Sequence, residues 1–239
     1  MHRMERSEHD PAIVAEWMTI PRGGENMPAY YAAPRETTAH TPTLVLAMHL
    51  FGVDGTMRED ARRFAQSGFA TVVPDLYARF DAPSGDGATE PGPFIPFARG
   101  LKAETVDPDL LAAAAFLRER FPRSKTGIAG FCMGGVMAMR RTYGYGGLFT
   151  AAAIWYGLVP DLDPALVEIP LVASYGAEDT GIPVGAVERF RNGLRVDHDV
   201  RIYPGAKHAF ADRREAYDPA AAEDSWQRTI AFLTPRLRA

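Results

Sequence analysis

The chain has a single cysteine, Cys132, in 239 residues. No intramolecular disulfide can form, which suits a reducing compartment and predicts a cytoplasmic protein. It also lacks any block of lysine and arginine, and its formal net charge is −4. A phosphate-binding basic face is therefore disfavoured, and nucleic acid with it. No apolar run approaches the length of a membrane span. Residues 1–11 mix basic, acidic and histidine side chains without the apolar stretch of a signal peptide. His2, His9, His40 and His198 stand in polar segments with no partner at metal-ligand spacing, so neither metal nor cofactor is expected. The glycines between 130 and 135 lack the following Lys-Ser/Thr of a phosphate loop. What is left is an ordinary globular composition, 46% hydrophobic and 23% charged, long enough to bury a core unaided. With no internal repeat or heptad, residues 1–239 read as one domain, a monomer or small homo-oligomer.

Periodicity gives the elements. Ile13–Ile20 and Met27–Ala33 read as a hairpin around Pro21–Asn26. Thr43–Met48 is a short apolar run of the kind buried on both faces of a sheet. A helix over Met57–Ser67 and a strand over Phe69–Val73 follow. From Pro74 to Gly100 no period is visible, and residues 80–100 carry Phe94, Pro96, Phe97 and Arg99. Long irregular connections inside a domain tend to be functional, so this one reads as a lid or substrate wall. Asp107–Phe121 predicts a helix. Strands are expected at Thr126–Ala129, Thr150–Tyr156, Leu171–Gly176 and Val200–Tyr203, and helices at Val184–Leu194 and Ala220–Leu237. Strands alternating with helices after an opening hairpin mean an α/β fold, a mostly parallel sheet covered on both faces.

The chemistry begins at Gly130-Phe131-Cys132-Met133-Gly134, between an apolar strand and an Ala/Met-rich helix. That is the setting of a nucleophile elbow, with cysteine where G-x-S-x-G has serine. The N–H of Met133 would then face the oxygen of a bound acyl group. Asp179 follows the strand Leu171–Gly176, and His208 follows the strand Val200–Tyr203. Nucleophile, acid and histidine thus occur in the chain order of α/β-hydrolases. Alone, Asp179 is a turn former and His208 a turn cap; in this order they read as a triad, the acid holding one imidazole tautomer. His49 ends a predicted central strand, where ligands of open α/β sheets bind. The turn after it offers the Leu50 N–H as a second oxyanion donor, as hydrolases commonly do.

The segments "GFCMGG", "GAEDTGIP" and "YPGAKHAF" resemble the active-site segments of the dienelactone hydrolases, or carboxymethylenebutenolidases. The stretch from "LAMHLFGVDGTMRED" to "DLYAR" and the segment "AAIWYG" resemble the family as well, so the likeness runs from about Thr43 to about Leu233 with a gap at Phe80–Arg99. The resemblance implies an α/β-hydrolase fold and a cysteine hydrolase with Cys132 as nucleophile, His208 as base and Asp179 as orienting acid. It implies a small-molecule ester or lactone substrate, with Phe51 and Tyr156 among the residues that bind or modulate it. Where family members carry a glutamate that hydrogen-bonds the resting thiol, this chain has His49. An imidazole is no standing anion; it is expected to line the site and to donate to the thiolate instead. The family's arginines for a substrate carboxylate have Arg99 and Arg213 as nearest candidates. Two other readings stay open: a thioesterase or general carboxylesterase on the same triad, and a non-catalytic thiol protein, a redox sensor or small-molecule binder.

Overall fold

In the computed structural model, which describes residues 10–144, 148–214 and 216–238, the chain divides into two units. One is Met1–Thr126 with Arg238–Ala239, the other Gly127–Leu237. The segment read for a signal peptide lies, up to residue 9, outside the described residues, as do His2 and His9.

The first unit opens with β1 (Ile13–Arg22) and β2 (Glu25–Pro34), antiparallel from Ile13 opposite Pro34 to Arg22 opposite Glu25. Only Gly23 and Gly24 lie between them, with φ of 54° and 92°. Two successive positive φ values are what a two-residue type I′ turn demands, and glycine meets them without a Cβ clash. The turn is tighter than Pro21–Asn26 suggested, because Pro21 pairs with Asn26 and sits on an outer strand, where proline is tolerated. β2 lies antiparallel to β4 (Ala70–Pro74), and β4 parallel to β3 (Thr43–Ala47), in the order β1-β2-β4-β3. Every residue of β3 and β4 is buried, which explains their unbroken apolar character.

α1 (Gly55–Gln66) is capped by Asp54, whose Oδ1 accepts the Met57 N–H at 3.0 Å. Met57, Ala61, Phe64 and Ala65 form its buried stripe. Between β4 and the next long helix, the stretch without visible period contains a 3₁₀ turn, Gly92–Phe94, and a short helix, α2 (Ile95–Gly100). Six residues are under two turns, too few to show a period, and Pro96 sits in the first turn, where its missing N–H costs nothing. The stretch is fastened down. The Phe94 ring meets Phe51 at 5.1 Å, and Phe97 lies between Tyr77 and Phe80 at 6.1 and 6.3 Å. A Cβ on Gly85 would overlap the Phe51 carbonyl oxygen, and Asp86 Oδ1 accepts the Gly55 N–H at 2.7 Å. Phe80 and residues 82–86 line a cavity of about 250 Å³ whose other walls include Trp17, Phe51, Asp75 and Tyr77.

α3 (Ala103–Arg120) starts before the expected Asp107 and holds Pro108 in its second turn. The Glu104 carbonyl that loses a donor there belongs to an exposed residue, so water replaces it. Buried Asp109 on α3 pairs with Arg22 at 3.4 Å and Arg79 at 2.8 Å, tying the hairpin to the segment after β4.

The second unit holds β5 (Thr126–Phe131), β6 (Ala151–Trp155), β7 (Leu171–Gly176) and β8 (His198–Tyr203), paired in chain order and all parallel. α4 (Met133–Arg140) follows β5, a 3₁₀ turn at Pro164–Leu166 precedes β7, and α5 (Val184–Gly193) precedes β8. α6 (Pro219–Leu237) lies against β6. The Trp155 indole N–H donates to Ser225 Oγ at 3.0 Å, and Trp155 stacks on Trp226. The α/β architecture, the opening hairpin and the parallel pairing agree with the sequence reading.

Candidate active site

β5 delivers Cys132 at its carboxyl end, and the chain turns at once into α4. Cys132 has φ 52° and ψ −115°, outside the comfortable regions for a residue with a Cβ. The turn is tight enough that a Cβ on Gly130 would overlap the Gly134 carbonyl, and one on Gly135 would lie 2.8 Å from the Trp155 carbonyl oxygen. Gly130 and Gly135 are therefore steric necessities. The Cys132 N–H donates to Trp155 O at 3.0 Å, and its carbonyl accepts the Val136 N–H at 3.0 Å. The side chain is thereby lifted to a partly exposed position. Met133 is the first residue of α4, and the first amides of a helix have no partner within it. The helix dipole adds positive potential at that end.

Asp179 follows β7 and is buried; His208 follows β8 and is half-buried. Gly176 lets the two turns approach, since a Cβ there would overlap the Ala206 carbonyl oxygen. Asp179 Oδ2 accepts from His208 Nδ1–H at 2.7 Å, and Asp179 Oδ1 accepts the Gly181 N–H at 2.9 Å. His208 Nε2 lies 3.2 Å from Cys132 Sγ. Burial by itself would favour the neutral imidazole. The hydrogen bond and charge of the Cys132 sulfur, then those of Asp179, outweigh it and push His208 up to about 9. A carboxylate, an imidazole and a sulfur thus stand in one line, a device for moving a proton to and from the sulfur. Among the described residues no three His, Cys, Asp or Glu side chains converge to hold a metal ion.

This line of groups lies inside a region, residues 27–237, that matches the model of the dienelactone hydrolase family. The chain belongs to the dienelactone hydrolase family. A protein of Escherichia coli (strain K12), provisionally named carboxymethylenebutenolidase, is 34% identical over 248 residues, spanning 94% of this chain and 88% of that one. A Synechocystis protein of the same provisional name is 31% identical, over 92% of this chain and 96% of that one. The crystal structure of a provisionally named dienelactone hydrolase from Klebsiella pneumoniae superposes with a TM-score of 0.78 at 30% identity, covering 93% of this chain and 99% of that one. The fold is that of the α/β-hydrolases, and membership of this family makes the chain a carboxylic ester hydrolase.

The second unit of this dienelactone hydrolase relative gathers Cys132, Met133, Asp179, His208 and Tyr156, whose ring meets the His208 imidazole edge-on at 5.2 Å. It also brings in groups the sequence did not signal: the Trp155 carbonyl that holds the Cys132 amide, and Ala209 with φ 61°. Neither a backbone carbonyl nor a positive φ at alanine leaves a mark in residue types. Arg213 is exposed beyond β8, and Arg99 is exposed on α2 with its carbonyl accepting from Lys102 Nζ at 3.0 Å.

The first unit holds His49, Leu50 and Phe51 in one turn. The Tyr77 hydroxyl donates to Leu50 O at 3.0 Å, and the Phe51 N–H donates to His49 Nδ1 at 3.1 Å. His49 Nε2 is buried 3.1 Å from Asp54 Oδ1, off the hydrogen-bonding direction. Because Nδ1 accepts the Phe51 N–H, the ring proton belongs on Nε2, and the turn fixes where the imidazole stands. A measurable consequence follows. His49→Glu places a second carboxylate against buried Asp54, and an uncompensated buried charge costs about 3 kcal/mol. Thermal unfolding at neutral pH should show that loss, and acidification, which protonates the added carboxyl, should restore part of it.

Proposed function

We propose that the chain hydrolyses small carboxylic esters, enol esters or lactones through an acyl group carried on Cys132. The observation that supports this most is the unbroken Asp179–His208–Cys132 line, at 2.7 and 3.2 Å. With His208 raised to about 9, its ring is held as the imidazolium, and the attacking form in this scheme is the Cys132 thiolate facing it. The thiolate attacks the carbonyl carbon, and the carbonyl π pair moves to oxygen, where the Met133 N–H donates to it. The tetrahedral adduct collapses, the C–O bond breaks, and the leaving oxygen takes the Nε2 proton. Neutral His208 then removes a proton from water, hydroxide attacks the thioester, and the C–S bond breaks. The carboxylic acid leaves and the ion pair is restored.

Sulfur restricts the substrate. A thiolate leaves more readily than an amine, so an adduct with an amide collapses backward unless its nitrogen is protonated. Activated alkoxides and enolates compete with the thiolate as leaving groups, so lactones, enol esters and thioesters fit this site better than peptides. p-Nitrophenyl acetate separates catalysis from simple thiol reactivity: a hydrolase turns over many equivalents, whereas a redox thiol is acetylated once and stops.

The acid–base behaviour of His208 gives two distinct pH limbs. Attack needs the imidazolium, so kcat/KM should hold toward alkaline pH and fall as pH rises through about 9. Once the thioester forms, the sulfur's charge is gone, and with it the leading influence that raises His208. Hydrolysis of the thioester needs the neutral ring, so its rate should rise with pH through a midpoint below that of kcat/KM. Steady-state and single-turnover rates across pH 5–10 would show both limbs; a shared midpoint would contradict the ion-pair scheme.

A further inference from the structure

Among the described residues, three that are not glycine have a left-handed backbone: Cys132, Tyr156 and Ala209, with φ of 52°, 38° and 61°. Such conformations are held only where the surroundings dictate them. The elbow accounts for Cys132, and Ala209 follows His208 directly. Tyr156 belongs to a different strand end, and its backbone is gripped on three sides. Its N–H donates to Ser174 O at 2.8 Å, the preceding Trp155 carbonyl holds the Cys132 amide at 3.0 Å, and a Cβ on the following Gly157 would lie 2.5 Å from the Gly135 backbone. The tripeptide Trp155-Tyr156-Gly157 is thus bound to the elbow by backbone alone. Glycine at 156 would meet the same φ without strain, so what the tyrosine adds is its ring.

Tyr156 is 2% exposed. Its ring meets the His208 imidazole at 5.2 Å in a T-shaped contact, with Phe210 at 5.3 Å and Phe131 at 6.1 Å around it. His208 itself has a side chain 42% exposed. Its two hydrogen-bonding contacts fix both nitrogens but leave the tilt of the ring about the line through them to packing. We propose that Tyr156 is a positioning residue for His208, its aromatic ring setting the imidazole tilt that keeps Nε2 on Cys132 Sγ while Nδ1–H stays on Asp179. This rests on the Cys132 reading, and it ties both ends of the proton path to one strand end: Cys132 through the Trp155 carbonyl, His208 through the Tyr156 ring.

Three variants test it, Tyr156→Phe, Tyr156→Leu and Tyr156→Met, the last filling the site flexibly should leucine fail to fold. The first measurement is the titration of His208 by proton NMR on the substrate-free protein, where Cys132, Asp179 and the ring at 156 are the neighbours in play. Tyr156→Phe should titrate like the wild type, whereas leucine or methionine should move the midpoint down, because a tilting ring loses part of its contact with sulfur and carboxylate. The second is p-nitrophenyl acetate kinetics. Leucine or methionine should lower kcat between about tenfold and a hundredfold, the cost of a misplaced catalytic group, and leave KM within about twofold. A raised KM with kcat and titration unchanged would make Tyr156 a substrate contact and overturn the proposal. So would a phenylalanine variant as impaired as the leucine one, since the hydroxyl would then be the working group. If Cys132 is never acylated, the hydrolase reading fails while the titration still decides the role of Tyr156.

Discussion

Cys132→Ala should leave no enzymatic ester hydrolysis, a loss of about 10⁴-fold or more in kcat, since removing the nucleophile of such a device leaves only binding and oxyanion stabilisation. The fold should survive. Cys132 N–H and C=O keep their bonds to Trp155 and Val136 whatever the side chain, and alanine bears the same positive φ as cysteine does. Loss of activity with an unchanged melting temperature would therefore report chemistry and not collapse. Because the sequence has no second cysteine, intact-mass analysis after mixing with an activated ester should show one acyl adduct on the wild type and none on the variant. An adduct that persists in Cys132→Ala would place the nucleophile elsewhere and end the assignment.

The next largest effect is expected at the other end of the proton path. His208→Ala should cost roughly as much as Cys132→Ala, because groups that act as one unit fail together. Asp179→Asn keeps the shape but presents an amide that can donate to Nδ1, which selects the wrong tautomer, and losses of about 10⁴-fold follow such a change in related devices. The double variant Asp179→Asn/His208→Ala should then be hardly slower than His208→Ala, since without the imidazole the carboxylate has nothing to orient. Multiplied losses would mean that Asp179 acts independently, through its bond to the Gly181 N–H and the turn that bond closes.

The elements that read best from sequence are those whose residue types are forced by sterics or burial. Gly130 and Gly135 mark the elbow because nothing larger fits, and β3 and β4 read as strands because every residue in them is buried. The chain order of Cys132, Asp179 and His208 carried over because each follows a strand whose apolar run is unmistakable. What stayed hidden depends on partners distant in sequence or on backbone angles. α2 is too short to repeat, and α3 begins upstream of a proline that usually marks a start. Tyr156 and Ala209 give no residue-type hint of their positive φ. His49 reads as a site residue from its place after β3, but that its Nδ1 accepts the Phe51 N–H depends on the turn folding back on itself, which residue types do not show.

The overlap that a side chain at Gly85 would make with the Phe51 carbonyl divides the stretch from 80 to 100 into parts with different freedom to vary. Ser84 to Asp86 is keyed to the Phe51 turn and to the start of α1, so a residue inserted there would shift the cap on Gly55 and the pairing of Asp86 with Arg58. Gly87, at φ 72°, has no atom within 4 Å of where a Cβ would stand, and Thr89, Glu90 and Pro91 are exposed. Loop grafts, affinity tags or length variants belong at 89–91, where the chain can lengthen while the keyed tripeptide holds its register. Relatives that differ in this stretch would then diverge first at its crest, and a library built there would sample new surface without loosening the turn that carries His49, Leu50 and Phe51.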